Sequence, residues 1–216
     1  FPPGMDELLD QMDARGVTFA PASGRQVWTL IDMFPGRPGM TVIGENGGIV
    51  MRDGVEVSSS PLDAPTMREA VRLVREATSG PDGIDGGLVM CGKQFAYVER
   101  TDDRFVDGVL PYYHRTKRID DQIAIIDAIE AGEIDDAIVK LAVYVIGPVQ
   151  ALAEATLARF ADTHQYAVSG VNWADLQIRG VDKGSAVRDL QRFLGVDRSQ
   201  TAVFGDAGND LSMMSE

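Results

Sequence analysis

The first 57 residues alternate between helical and strand-like spacing of their apolar positions. Between Pro3 and Arg15 the apolar residues recur at helical spacing, which predicts an amphipathic helix, and a second helical pattern starts at Val27. Short apolar runs predict strands at 17–20 and 41–44, and Asp53-Gly54 predicts a hairpin turn between strands at 49–51 and 55–57. This order is typical of one half of a parallel α/β sheet with an added hairpin.

The pattern changes at Ser58 and returns after Gly170. Between these positions we predict a helix whose apolar face includes Met67 and Val74, an irregular region at 107–118, and a helix from Asp120. The other elements predicted there are strands at 88–91, 95–98, 138–146 and 166–169 and a helix at 149–160. After Gly170 we predict a strand at 175–178, a helix at 183–194 and a buried strand at 201–204. The chain is therefore expected to form a discontinuous α/β core, 1–57 and 171–216, with an inserted α+β cap, 58–170.

The charge and hydrophobicity of the chain disfavour some classes of binding partner. The 216 residues hold 20 Lys and Arg against 33 Asp and Glu, a net charge of −13, which disfavours nucleic acid and anionic membrane surfaces. The longest apolar run, 137–146, contains Lys140 and is too short to span a bilayer. Cys91 is the single cysteine, so no internal disulfide can form, and no basic-then-apolar leader opens the sequence. We expect a cytoplasmic protein without nucleic-acid or membrane partners.

The strongest chemical signal is Gly-Asp-Ala-Gly-Asn-Asp at 205–210, directly after the predicted strand 201–204. Ligands bind at this end of the strands in parallel sheets. Asp206 and Asp210 could both face one hard cation, because Mg²⁺ prefers oxygen ligands that a substrate phosphate completes. The alternative is a turn rich in Asp and Gly that caps a helix.

Two further segments carry candidate phosphate-binding groups. Ser23 and Gly24 follow the strand predicted at 17–20, where a hydroxyl and backbone N–H groups at a helix start can cradle phosphate. Lys183 opens the helix that precedes the 201–204 strand, and its charge could neutralise phosphate. The alternatives are a simple helix cap for Ser23 and a solvated surface lysine for Lys183.

Together, Ser23, Lys183 and the 205–210 segment resemble the second, third and fourth motifs of the haloacid dehalogenase-like (HAD) phosphohydrolases. A large cap between the Ser and Lys motifs is similar to the Cof-type branch, and segments 22–26, 34–35, 45–47, 91–98 and 113–115 resemble the bacterial sugar phosphatases of that branch. The resemblance implies a Rossmann-like doubly wound parallel core with an inserted α+β cap. It also implies a Mg²⁺-dependent phosphatase of small phosphorylated metabolites, with sugar phosphates as the expected substrates.

The same resemblance implies roles for individual residues. Asp206 and Asp210 would hold Mg²⁺, Ser23 and the Gly24 N–H would bind the phosphoryl group, and Lys183 would neutralise its charge. Asn209 would contact phosphate or orient the metal site. The family's nucleophile and general acid/base lie in an Asp-x-Asp segment, which these 216 residues lack. We therefore expect a portion of a longer protein with its nucleophile upstream.

Three more residues are weaker candidates for substrate binding. Arg25 and Asn46 lie next to the predicted strand ends and could touch substrate or latch the cap, or serve as a surface ion pair and a turn residue. His114, between Tyr113 and Arg115, could contact a sugar or only take part in packing. The competing function is a catalytically inert protein that binds phospholigands. The sequence leaves the preferred substrate and the oligomeric state open.

Overall fold

The structure is a computed structural model that describes residues 2–37 and 39–215. Its α-helices are α1 (Met5–Ala14), α2 (Val27–Asp32), α3 (Ala64–Thr78), α4 (Asp103–Val109), α5 (Gln122–Glu130), α6 (Gln150–Ala155) and α7 (Lys183–Leu194). Its strands are β1 (Val42–Gly44), β2 (Ile49–Arg52), β3 (Val55–Ser59), β4 (Gly86–Gly92), β5 (Ala96–Val98), β6 (Thr116–Arg118), β7 (Ile138–Val145), β8 (His164–Val168) and β9 (Trp173–Ile178). The described residues form two sheets, one of three strands and one of six.

The smaller sheet is the antiparallel series β1-β2-β3, and it lies between two helices. Successive side chains of a strand point to opposite faces. Val42 and Ile49 accordingly pack against α2 on one face, while Ile43 and Val50 pack against α7 on the other. The hairpin predicted around Asp53-Gly54 is confirmed, as are the helices predicted at 3–15, from Val27 and at 183–194.

Parallel pairing beside this sheet is limited to one bridge, between Ala22 and Ile43. The backbone of Ile43 accepts from Ser23 N at 3.0 Å and donates to Pro21 O at 2.9 Å. The strands predicted at 17–20 and 201–204 are wrong, because neither segment belongs to a strand. The 201–204 segment was also predicted to be buried, but Phe204 is 86% exposed. A strand needs a hydrogen-bonded neighbour, and no described strand lies along either segment.

The larger sheet has the strand order β6-β5-β4-β7-β9-β8. Its two faces are covered unequally, since α3, α5 and α6 pack on one side and α4 packs on the other. Two elements correct the predicted irregular region 107–118, because α4 extends into it and β6 lies within it. No helix among the described residues is both long and apolar enough to cross a membrane.

Strand β9 includes residues 175–178, which the sequence analysis assigns to the core. It pairs antiparallel with β7 on one side and β8 on the other, inside the larger sheet. An apolar strand pattern indicates burial but does not identify the sheet that the strand joins. The predicted boundary after Gly170 lies between the paired strands β8 and β9. The division of the chain into core and cap stays a prediction.

The turn at Glu45–Gly47, between β1 and β2, has three successive residues in the left-handed region. Their φ angles are 50°, 52° and 95°. Non-glycine residues rarely adopt this conformation, so surrounding contacts must hold it. A Cβ atom at Gly47 would lie 2.1 Å from the Asp182 carbonyl oxygen at the start of α7. Glycine is therefore required at this position both for its φ angle and for the close approach of α7.

We predict that Gly47→Ala lowers the free energy of unfolding by more than about 3 kcal/mol, because the backbone of α7 has to move. Gly54→Ala is the matched control, with a φ of 74° and no atom within 4 Å of the added Cβ. That control should cost about 1 kcal/mol from the left-handed conformation alone. Denaturant unfolding of both variants checks this, and equal losses would contradict the contact with α7.

Candidate active site

The three motif segments meet around the Glu45–Gly47 turn. Asn46 N donates to Ser23 O at 3.0 Å, and the Asn46 side-chain oxygen accepts from Asn209 Nδ2 at 3.0 Å. Gly47 packs against the backbone at the start of α7, next to Lys183. Ser23, Lys183 and Asn209 are far apart in the sequence, and the structure brings their segments together through this one turn.

Lys183 and Asp210 form a buried ion pair. Lys183 is the first residue of α7, which Asp182 caps by accepting from Ser185 N at 2.8 Å. Lys183 Nζ lies 2.5 Å from Asp210 Oδ1, and both residues are more than nine-tenths buried. Burial opposes ionisation of Asp210, but the Lys183 ammonium and the N–H groups of Ala207 and Asp206 hold its pKa below the ordinary value.

The two predicted metal ligands have different surroundings. Both oxygens of the Asp210 carboxylate have partners. Oδ2 accepts from Asp206 N and Ala207 N, each at 3.1 Å, and Oδ1 faces Lys183. The Asp206 side chain is exposed and makes no hydrogen bond with the described part of the chain. Asp210 thus shapes the 205–210 loop and Asp206 is accessible to solvent, and the roles of both as metal ligands stay predictions. No three Asp, Glu, His or Cys side chains within residues 2–37 and 39–215 cluster as a metal site.

Ser23 and Gly24 form a short loop before α2. The Ser23 hydroxyl oxygen accepts from Arg25 N at 3.3 Å. Gly24 packs closely on the Asn46 side chain, since a Cβ at residue 24 would lie 3.0 Å from Asn46 Oδ1. The missing side chain of Gly24 therefore lets the loop and the Glu45–Gly47 turn approach one another.

Arg25 contacts the segment that joins α4 to β6, and His114, which belongs to that segment, contacts α2. The Arg25 guanidinium lies over the Tyr112 ring at 4.7 Å and donates to Pro111 O at 3.5 Å. His114 pairs through Nδ1 with Asp32 Oδ2 at 2.8 Å, and its backbone N donates to Thr29 Oγ1. These contacts fit the latching alternative for Arg25 and the packing alternative for His114, and their roles toward substrate stay predictions.

Sequence reasoning missed a second buried cluster of charges, made by Lys140, Glu45 and Asp175. Lys140 Nζ lies 2.8 Å from Glu45 Oε2 and 3.8 Å from Asp175 Oδ1, and it donates to Gly24 O at 2.7 Å. Burial alone would lower the pKa of Lys140, but the Asp175 and Glu45 carboxylates raise it above its ordinary value. The available signal was a lysine in the middle of an apolar strand, since charged side chains are rarely buried unless paired.

A cavity of about 320 Å³ lies beside these groups. Its lining includes Lys183 and Asn209 together with Asp175 and Gln177 of β9. Two of the predicted phosphate-binding residues and two polar residues of the larger sheet therefore line the same cavity.

We predict that Asp210→Asn lowers the free energy of unfolding by about 3 kcal/mol at neutral pH, because it leaves the buried Lys183 unpaired. A carboxylate with a depressed folded-state pKa stabilises above its ordinary value of 3.8 and loses this contribution as the pH falls below it. The difference between wild type and variant should be constant from about pH 8 to 5 and shrink below about pH 4. Denaturant unfolding at several pH values measures it.

The control for this prediction is Asp189→Asn in α7, the helix of Lys183, which removes an exposed ion pair with Arg192. That variant should change stability by less than about 0.5 kcal/mol at every pH. A loss for Asp210→Asn that persists undiminished at acid pH would contradict the assigned ion pair.

Comparisons with known proteins agree with the resemblance found in the sequence. A relative from Escherichia coli K12, the 5-amino-6-(5-phospho-D-ribitylamino)uracil phosphatase YbjI, is 32% identical over 213 residues, covering 95% of this chain and 72% of that protein. A haloacid dehalogenase-like hydrolase from B. subtilis has a similar structure, with a TM-score of 0.77 at 17% identity, covering 99% of this chain and 80% of that one.

A HAD subclass IIB sugar phosphatase is also similar in structure, with a TM-score of 0.73 at 16% identity, covering 99% of this chain and 76% of that one. These similarities confirm the predicted fold class, a Rossmann-like α/β core with an inserted α+β cap. A family model described as haloacid dehalogenase-like hydrolase matches residues 2–216. The chain therefore belongs to the haloacid dehalogenase-like hydrolases.

Proposed function

We propose that this chain forms most of a Mg²⁺-dependent phosphatase that acts on small phosphorylated sugars or polyols. The observation that carries the proposal is the meeting of the Ser23, Lys183 and Asn209 segments around the Glu45–Gly47 turn, with Lys183 and Asn209 also lining one cavity. Membership of the family makes the chain a hydrolase, and the predicted phosphatase class is confirmed by the curated relative, itself a phosphatase. The metal, the substrate and the residue roles are the proposed part.

The chain's own residues would act by positioning and by neutralising charge. In phosphoryl transfer, negative charge spreads over three equatorial oxygens, so fixed donors around them lower the barrier. The Ser23 hydroxyl and the Gly24 N–H would donate to the phosphoryl oxygens, and Lys183 would bring positive charge. Asn209, which donates one amide hydrogen to Asn46, would use its remaining polar atoms on the phosphate or on a metal-bound water. These local groups offset the net charge of −13, which otherwise repels phosphate.

Mg²⁺ fits the free carboxylate of Asp206. This ion is commonly held by one or two carboxylates, several waters and the substrate phosphate, so one exposed Asp is a suitable partial site. Asp206 would ligate the ion, and Asp210 would support it by fixing the loop through Asp206 N and Ala207 N. When bound, the metal supplies positive charge that stabilises the transferring phosphoryl group.

The attacking group is proposed to come from outside these 216 residues. An aspartyl-phosphate mechanism needs a carboxylate nucleophile with a second acid as general acid/base. The sequence has no Asp-x-Asp segment to provide this pair. We therefore assign the nucleophile to a preceding segment of the longer protein, and a phospholigand-binding protein without turnover is the alternative outcome of the experiment below.

The substrate class follows from the cavity and from the relatives. YbjI is named for a substrate with a phosphorylated ribityl chain, and the structural relative is named as a sugar phosphatase. Both names describe a phosphate on a polyhydroxylated carbon chain. Asp175 and Gln177 line the same cavity as Lys183 and are the groups proposed to bind hydroxyl groups while the phosphate meets the lysine. We also propose that the protein is located in the cytoplasm.

We predict that the complete gene product releases inorganic phosphate from sugar and polyol phosphates in Mg²⁺, and that EDTA removes the activity. Residues 1–216 alone should release none, because the nucleophile is absent. A panel that adds phosphoserine and a nucleoside monophosphate tests the preference for polyols. Phosphate binding without release by the complete protein would favour the inert binding alternative.

We further predict that Asp206→Asn in the complete protein reduces Mg²⁺-dependent turnover by at least about 100-fold, because the loss of a metal ligand weakens charge stabilisation. The fold should be unaffected, since the Asp206 side chain is exposed and unpaired among the described residues. Asp53→Asn, an exposed position in the β2–β3 turn, is the control and should retain full turnover. Equal effects in the two variants would rule out Asp206 as the metal ligand.

A further inference from the structure

Lys140 lies in β7 with its side chain 1% exposed, yet none of the roles above uses it. Its Nζ reaches across from the larger sheet to the Ser23–Gly24 loop and to the Glu45–Gly47 turn. A buried lysine is costly, and replacing a buried ion cluster with apolar side chains is often neutral or stabilising. Stability alone therefore does not explain why this position has a charged side chain.

One contact of Lys140 leads to Ser23. Lys140 Nζ donates to Gly24 O at 2.7 Å, and Arg25 N, in the same peptide group, donates to the Ser23 hydroxyl at 3.3 Å. All described peptide bonds are trans, so the C=O and N–H of this planar group point in opposite directions. Holding the Gly24 carbonyl with Lys140 consequently aims the Arg25 N–H at Ser23 Oγ and sets the position of that hydroxyl.

The other contact leads to Asn209. Asp175 Oδ1 faces Lys140 Nζ at 3.8 Å, and Asp175 Oδ2 accepts from Asn46 Nδ2 at 2.9 Å. This bond fixes the orientation of the Asn46 amide, whose oxygen then accepts from Asn209 Nδ2 at 3.0 Å. The orientation of the Asn209 amide is thus set by a hydrogen-bonded relay that starts in the larger sheet.

The cluster is not built for maximal stability. One lysine serves two carboxylates, and Glu45 Oε1 is buried without a hydrogen-bond partner. An unpartnered buried oxygen is destabilising, and Glu45 also has a left-handed backbone. Such costs are typical of groups kept for the geometry that they impose.

We propose that Lys140 is a positioning residue that aligns the Ser23 hydroxyl and the Asn209 amide with one another, through the Gly24–Arg25 peptide and through Asp175 and Asn46. The proposal rests on the proposed function of this site. It means that the larger sheet of the cap helps to align the phosphate-binding groups of the core, in addition to lining the cavity.

The test compares Lys140→Met in the complete protein with wild type. We expect kcat/KM to fall about 100-fold, mostly in kcat, because small misplacements of positioned groups cost about that factor. Hydrogen–deuterium exchange should rise in both 22–26 and 205–210, although Lys140 touches only the first segment. Lys93→Met is the matched control, because Lys93 also joins the two sheets through Glu56 but in a partly exposed pair. The control should change neither readout.

A double variant separates positioning from stability. Lys140→Met leaves Glu45 and Asp175 buried without a counter-charge, whereas adding Glu45→Gln returns the cluster to its original formal charge of −1. We expect the double variant to recover thermal stability while kcat stays about 100-fold low. Recovery of both stability and wild-type kcat would overturn the proposal, because Lys140 would then serve stability alone.

Asp175→Ala tests the relay even if the lysine variants do not fold. It removes the hydrogen bond to Asn46 that leads on to Asn209, so exchange should rise in 205–210. Unchanged exchange in 205–210 would overturn the proposal. If wild type releases no phosphate, the proposed function fails by itself, and the exchange measurements still decide whether Lys140 aligns the two loops.

Discussion

Three consecutive left-handed residues at Glu45–Gly47 are unfavourable on their own, and they persist only because other parts of the chain hold them. Arg25 O accepts from Glu45 N at 2.9 Å, and Gln177 Nε2 donates to Glu45 O at 2.8 Å. The same turn receives Asn209 and lies against the start of α7. The loop before α2, the larger sheet, the start of α7 and the 205–210 loop thus converge on one strained turn, and the arrangement of the site depends on it.

The two aspartates of the 205–210 segment have the same side chain but differ in burial and in hydrogen-bond partners. Asp210 is enclosed, paired with Lys183 and bonded to two backbone N–H groups, so its position is fixed by donors of the chain itself. Asp206 is exposed and keeps both oxygens available. A carboxylate that organises a loop is stabilised by fixed donors, whereas a carboxylate that binds a cation must remain accessible.

Two buried lysines serve this region from different elements. Lys183 comes from the first turn of α7 and Lys140 from the middle of β7, and each is matched by carboxylates. Both lysines are buried, in a protein whose net charge is −13. Burial makes these charges more effective than exposed ones, because water and salt screen them less.

Local patterns determined the helices, the hairpin and the motif segments, since helical spacing, turn residues and Asp/Gly-rich loops leave signals within a few positions. They also indicated Ser23, Lys183 and Asp206 as candidate site residues. The strand pattern at 173–178 could not show that β9 joins the larger sheet, and the apolar run at 201–204 could not show that it lacks a paired neighbour. Only the tertiary structure placed Lys140 and Asp175 beside Gly24 and Asn46, because these contacts join residues more than 100 positions apart. Spacing along a chain reports the face of an element, whereas the partner of a buried charge is decided by how the elements pack.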